Sequence, residues 1–93
     1  MTVTRINEFQ AAEGKSEELL SFLKSLNDFI IASEGCQYFE VLTSKADSDK
    51  FVVIERWLSE AHHQQSLANY PQEEMQKAMI LFGAPPKGDY YTV

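Results

Sequence analysis

A chain of 93 residues holds one domain and one core, and it buries only about 60–65% of the surface its unfolded form exposes. Eight Lys and Arg against fourteen Asp and Glu give a formal net charge of −6, which argues against nucleic acid and anionic membrane as partners. Cys36 is the single cysteine, so an intrachain disulfide is excluded and a reducing, cytoplasmic setting is expected.

The segment from Met1 to Asn7 lacks the apolar core of a signal peptide. Apolar runs such as Phe29 to Ala32 and Phe51 to Ile54 are four residues each, far short of a membrane span. The first predicted element is a strand from about Thr2 to Ala11, carrying Val3, Ile6 and Phe9. Gly14 breaks it. Ser16, followed by Glu17 and Glu18, then supplies a helix start: a hydroxyl to cap an orphan N–H and carboxylates at the positive end of the dipole. Leu19, Phe22, Leu23, Leu26, Phe29 and Ile30 follow at three- and four-residue spacing on one face of a single amphipathic helix, with Gly35 as its stop.

Cys36 to Thr43 and Phe51 to Trp57 read as two strands of a hairpin joined by the polar turn Ser44 to Asp49. Ser59-Glu60 opens a helix running to about Asn69. Tyr70 is biased away from helix by Pro71, which suits the start of the next one. Met75, Ala78, Met79 and Phe82 give that helix its apolar stripe. Gly83 ends it, Ala84-Pro85-Pro86 connects, and Asp89 to Val93 forms a last strand. The order β-α-β-β-α-(α)-β is the ferredoxin-like α+β pattern: a four-stranded antiparallel sheet with helices on one face, in a single domain over residues 1–93.

Both sheet faces carry apolar residues. Phe51, Val53 and Trp57 oppose Val52 and Ile54. Phe39 and Val41 oppose Tyr38 and Leu42, and Tyr90 opposes Tyr91 and Val93. Helices in this topology cover one face only, so the other calls for a second cover, most simply another copy of the chain related by a two-fold axis.

The stretch Phe51-Val-Val-Ile-Glu-Arg-Trp57-Leu-Ser59-Glu-Ala61, a strand ending in Glu-x-Trp-x-Ser before a helix, resembles the most characteristic part of the antibiotic-biosynthesis-monooxygenase family. Glu13-Gly14-Lys15 before the first helix and Ser33-Glu34-Gly35-Cys36 before the second strand resemble that family's turns in the same order, with a Pro absent from the latter. The resemblance implies a dimeric α/β barrel with a pocket between sheet and helices in each subunit. In that family some members oxidise aromatic polyketides or quinols with molecular oxygen and no metal, flavin or haem, and others open haem or act on small signalling molecules.

On that resemblance Asn7, Trp57 and His63 are the candidate catalytic residues, and Phe22, Trp57, His62 and Phe82 the candidate substrate contacts. An indole at position 57 offers a flat apolar wall and one N–H donor; its alternative is a core Trp with that N–H satisfied locally. The Asn7 amide can hold an oxygen species or a carbonyl, or can be a surface amide. His62 and His63 point about 100° apart in the first turn of a helix, so at most one of them faces a pocket. His63 is the choice, as a base taking a proton from a phenol or hydroquinone; the alternative is two solvated polar residues. Cys36 reads as a small buried hydrophobe, and Tyr90 and Tyr91 read as closing a dimer edge, with lining a pocket as the alternative.

Three positions depart from the family. Ser66 stands nine residues after Trp57 where many members have His, and Val53 stands where the polyketide-oxidising branch has Asn. The segment Glu73 to Met79 lacks the iron-ligating His of the haem-degrading branch, which disfavours haem cleavage. Adjacent histidines without paired carboxylates lack metal-ligand spacing, and the four scattered glycines form no phosphate loop. The expectation is therefore a monooxygenase without metal or cofactor, acting on a quinol or polycyclic phenol. The alternative is a dimer of the same fold that binds a small ligand without turnover. An isomerase of phosphorylated signals is disfavoured by the few basic residues.

Overall fold

The computed structural model describes residues 2–93. Its elements run β1 (Val3–Gln10), α1 (Ser16–Ser25), α2 (Asn27–Ile31), β2 (Cys36–Thr43), β3 (Lys50–Trp57), α3 (Glu60–Asn69), α4 (Gln72–Ala78), a 3₁₀ turn (Met79–Leu81) and β4 (Lys87–Tyr91). The sheet is antiparallel, in the order β2-β3-β1-β4. This is the ferredoxin-like α+β architecture that the element order implies. No helix among the described residues is long and apolar enough to cross a membrane.

The expected first helix is two. The Ser25 hydroxyl donates to the Phe22 carbonyl at 2.6 Å, and the Leu26 N–H turns to the nearer carbonyl of Leu23 at 3.2 Å. A hydroxyl that competes for a helix carbonyl tightens the turn locally, and the chain resumes as α2. Ser16 does not cap its helix either. Lys15 stands at the N-cap without a side-chain cap bond, and the Ser16 hydroxyl instead donates to the carboxylate of Asp49 in the β2–β3 turn. Ser59, by contrast, caps α3 through the His62 N–H. Pro71 opens α4 from an extended Tyr70. The last strand lies two residues earlier than expected and leaves Val93 outside it.

Alternation along β3 separates the two sides of the molecule. Phe51, Val53, Glu55 and Trp57 are all buried beneath the helices, while Val52 and Ile54 are half-buried and Arg56 exposed on the other side. The pairs Asn7–Val53, Arg5–Glu55 and Phe9–Phe51 place those β1 side chains on the helix side. There Leu19 and Leu23 of α1 pack with Phe51, Val53, Ala11 and Leu81 as the core. Complete burial of each Leu is worth roughly 1.5–3 kcal/mol. On the opposite side no element among the described residues covers Ile6, Leu42, Ile54 and Tyr91, among which Glu8, Glu40 and Asp89 are interspersed.

Candidate active site

Between the sheet and the helices lies a cavity of about 100 Å³. Its floor is β3, which contributes Val53, Glu55 and Trp57, with Asn7 and Phe9 from β1 beside them. Its walls are Leu23, Phe29 and Ile30 of the first two helices, and α3 and α4 close it with His63, Ser66 and Met75 among others. Apolar atoms make up most of the surface, and Glu55, Trp57 and His63 contribute a polar cluster to the lining.

Trp57 is wholly buried, and its Nε1–H donates to Glu55 Oε1 at 2.8 Å. The bond is local because residues two apart on a strand share a face. His63 is 3% exposed; its Nε2 stands 3.9 Å from the same Glu55 oxygen, and its ring centroid is 5.5 Å from that of Trp57. On the ring's other side Nδ1 lies 2.5 Å from the Tyr90 hydroxyl, whose oxygen accepts from Gln64 Nε2 at 2.9 Å. Tyr90 stands opposite Arg5 in the β1–β4 pairing, and the guanidinium carbon sits 4.7 Å above its ring. Gly88 makes this packing possible, because a Cβ there would strike the Asn7 amide oxygen and the Arg5 guanidinium.

Burial dominates the electrostatics. It lifts the Glu55 carboxyl above its ordinary range, while the Trp57 hydrogen bond and the Arg5 charge pull it partly back. Burial, helped by Arg5, lowers His63 to about 4, so its imidazole is neutral at pH 7. The site therefore holds a neutral imidazole, an indole N–H and a carboxyl group in an apolar enclosure: a proton donor and a proton acceptor within reach of one small ring.

Asn7, Trp57 and His63, chosen from sequence, come together at this cavity. The other candidates lie apart from its lining. Phe22 and Phe82 pack against the hydrophobic core, and His62 sits over Gly35 with Nδ1 2.8 Å from the Ser59 hydroxyl. Ser66 lines the cavity and meets Ser33 Oγ at 2.8 Å. Two residues beside Trp57 and His63 are not among the site candidates from sequence, where Tyr90 reads as closing a dimer edge. Glu55 had a readable signal, a carboxylate on the same alternating face as Phe51, Val53 and Trp57. Tyr90 reaches His63 from 27 residues away, by a β1–β4 register that no local pattern announces.

The antibiotic biosynthesis monooxygenase family model matches residues 2–79. The chain belongs to this family. No curated protein matches the sequence. Among solved structures, Rv0793 from Mycobacterium tuberculosis superposes with a TM-score of 0.88 at 17% identity, covering 100% of this chain and 95% of that one. A mutant of SnoaB, a cofactor-independent oxygenase from Streptomyces nogalater, gives 0.84 at 19% identity over 99% of this chain and 92% of its own. PA3566 from Pseudomonas aeruginosa gives 0.83 at 24% identity over 97% and 91%. At these identities the likenesses establish the fold of this family member, and its chemistry rests on its own residues. Among the described residues no group of three or more His, Cys, Asp or Glu is placed to hold a metal ion.

Proposed function

We propose that this protein is a cofactor-independent monooxygenase acting on a quinol or other phenolic ring, and that it works as a homodimer in the cytoplasm. The observation that carries the reading is the Glu55–Trp57–His63 cluster in the lining of a mostly apolar cavity. A phenolic ring in such a cavity has its carbon skeleton against Phe9, Leu23 and Phe29 and its hydroxyl against Glu55 and His63. Loss of the hydroxyl proton raises the electron density of the ring enough for it to reduce oxygen directly. The substrate then supplies all four electrons: one oxygen atom enters the ring as the quinol becomes a hydroxyquinone, and the other leaves as water.

Size narrows the choice within that class. About 100 Å³ is less than the ~150 Å³ that accommodates a benzene ring in an apolar protein cavity. A one-ring hydroquinone needs only a small outward movement of the lining, for which the unbranched Met75 side chain is suited. A polycyclic phenol needs a larger opening of the cavity. Compact hydroquinones are accordingly the first substrates to test.

Oxygen consumption by metal-free protein with methylhydroquinone, above the autoxidation baseline and lost in Trp57→Phe or His63→Ala, supports the proposal. A second reading draws on Val53 and Ser66, which put a methyl pair and a small hydroxyl where relatives in the family carry Asn and His. It is a dimer that binds a small apolar ligand without turnover. Saturable binding of a hydroquinone with no oxygen consumed would favour it.

A further inference from the structure

We infer that Glu55 rather than His63 accepts the substrate proton, because Tyr90 holds the His63 ring in the tautomer that carries its hydrogen on Nε2. The step itself rests on the oxygenase reading; the tautomer rests on hydrogen-bond geometry alone.

The donor count at Tyr90 sets the tautomer. Gln64 Nε2 donates to the phenol oxygen at 2.9 Å. The hydroxyl keeps its own hydrogen to donate, and the His63 Nδ1 lone pair lies 2.5 Å away. With Nδ1 accepting, the neutral imidazole has its hydrogen on Nε2. With the hydrogen on Nδ1 instead, the phenol oxygen would receive two N–H groups while its own hydrogen found no acceptor among the described residues. The far side of the ring points the same way. Nε2 faces Glu55 Oε1 at 3.9 Å, and a carboxylate favours the N–H that is directed toward it. Arg5, 4.7 Å above the Tyr90 ring, holds the phenol in place.

In this tautomer the cavity meets an N–H at His63, which has no lone pair there to take a proton. Glu55 is the one carboxylate in the cavity lining, and the Trp57 N–H occupies only one of its acceptor sites. Its burial also makes it a stronger base than an exposed carboxylate. A substrate hydroxyl oxygen fits off the line between Nε2 and Oε1 at ordinary hydrogen-bond distance from both. The substrate O–H bond breaks, a bond forms between that hydrogen and a Glu55 oxygen, and the electron pair stays on the substrate oxygen. His63 Nε2–H donates to the anion so formed. Glu55 is the proton acceptor, His63 the donor to the oxyanion, and Tyr90 and Gln64 are positioning residues.

Long-range ¹⁵N–¹H correlation spectra of the imidazole rings in the full-length, ligand-free protein at pH 7 read the tautomer directly, with His62 as the only other histidine. The expected result is His63 protonated on Nε2 in the wild type and a mixture of tautomers in Tyr90→Phe. A wild-type His63 protonated on Nδ1, or a tautomer indifferent to Tyr90→Phe, overturns the assignment. The proton step is read by oxygen uptake with methylhydroquinone. Glu55→Gln keeps an acceptor for the Trp57 N–H and is expected to lose at least about 100-fold. His63→Gln keeps an N–H donor and is expected to lose less. Full activity in Glu55→Gln overturns the step. If the wild type consumes no oxygen, the oxygenase reading and its proton step both fall, and the tautomer is still decided by the spectra.

Discussion

The Trp57 indole N–H and the Glu55 carboxylate, two residues apart on β3, meet at 2.8 Å with both side chains buried. Neither side chain has another hydrogen-bond partner among the described residues, so each relieves the other's cost of leaving water. Trp57→Phe removes the donor and leaves the carboxylate buried beside an apolar ring. The expected loss of stability is about 1–3 kcal/mol beyond the volume change, measured by urea unfolding. In the Trp57→Phe background, Glu55→Gln is expected to cost less than it does alone, the sign of a coupled pair. Strictly additive costs would show that the bond contributes nothing.

Acid sensitivity follows from His63. Its ordinary value of 6.5 falls to about 4 in the fold, so between those limits the unfolded chain binds a proton that the native chain does not. Its contribution is complete above pH 6.5 and declines as pH falls toward 4. The decline expected is of order 1–3 kcal/mol. Glu55 has the opposite sign. Its raised value means that the native chain keeps a proton which the unfolded chain has lost, a contribution present at low pH and lost as pH rises through the raised value. The groups that face His63 are Arg5, Glu55, Trp57 and Tyr90. Denaturant midpoints taken from pH 7.5 to 4 are expected to fall less steeply for His63→Gln than for the wild type; parallel curves would count against a neutral buried His63.

Much of this was legible in the chain itself, for reasons that differ by element. The three- and four-residue spacing of Leu19, Leu23, Leu26 and Phe29 marks a helical face turned to the core, and alternation through Phe51, Val53 and Trp57 marks a buried strand face. The break at Leu26 was not legible, because it depends on whether the Ser25 hydroxyl turns back to a carbonyl or out to water. The Ser16 hydroxyl was misread for a related reason: its partner, Asp49, lies 33 residues on, in a turn brought close only by the folded sheet. At the site, the Glu-x-Trp motif points to Trp57, whereas the pairing of His63 with Tyr90 needs the β1–β4 register. His62 and His63 are indistinguishable by composition. What separates them is the pitch of α3 and the Ser59 cap that engages His62.

Gly35 is the glycine whose replacement carries two costs. Its φ of +85° suits a residue without a side chain, and a Cβ there would enter the His62 ring that packs against it. Gly14 has a similar φ of +75° but open space around it. Gly14→Ala is therefore expected to cost only the backbone strain of a left-handed residue, about 1 kcal/mol. Gly35→Ala adds displacement of His62 from Ser59 and is expected to cost 1–3 kcal/mol more. Thermal unfolding of the two variants side by side tests the difference; equal shifts would mean that His62 yields without penalty.

The uncovered side of the sheet offers the test of the proposed dimer. Ile54 lies at its centre, opposite Ile6 on β1 and Glu40 on β2. Ile54→Lys places an ammonium beside the Glu40 carboxylate, an opposite-charge cross-strand pair that favours the sheet of a single subunit. Against a second copy the same charge would have to leave water in the middle of the interface, which costs several kcal/mol when it is not fully paired. A stable sheet-to-sheet dimer needs roughly 800 Å² from each partner, and Ile6, Leu42, Ile54 and Tyr91 supply the apolar centre of such a patch. The expected outcome is a wild-type dimer and an Ile54→Lys monomer by sedimentation at micromolar concentration, with the variant's far-UV circular dichroism unchanged. A wild-type monomer would sink the dimer proposal. A folded Ile54→Lys variant that still dimerises would move the interface to another face.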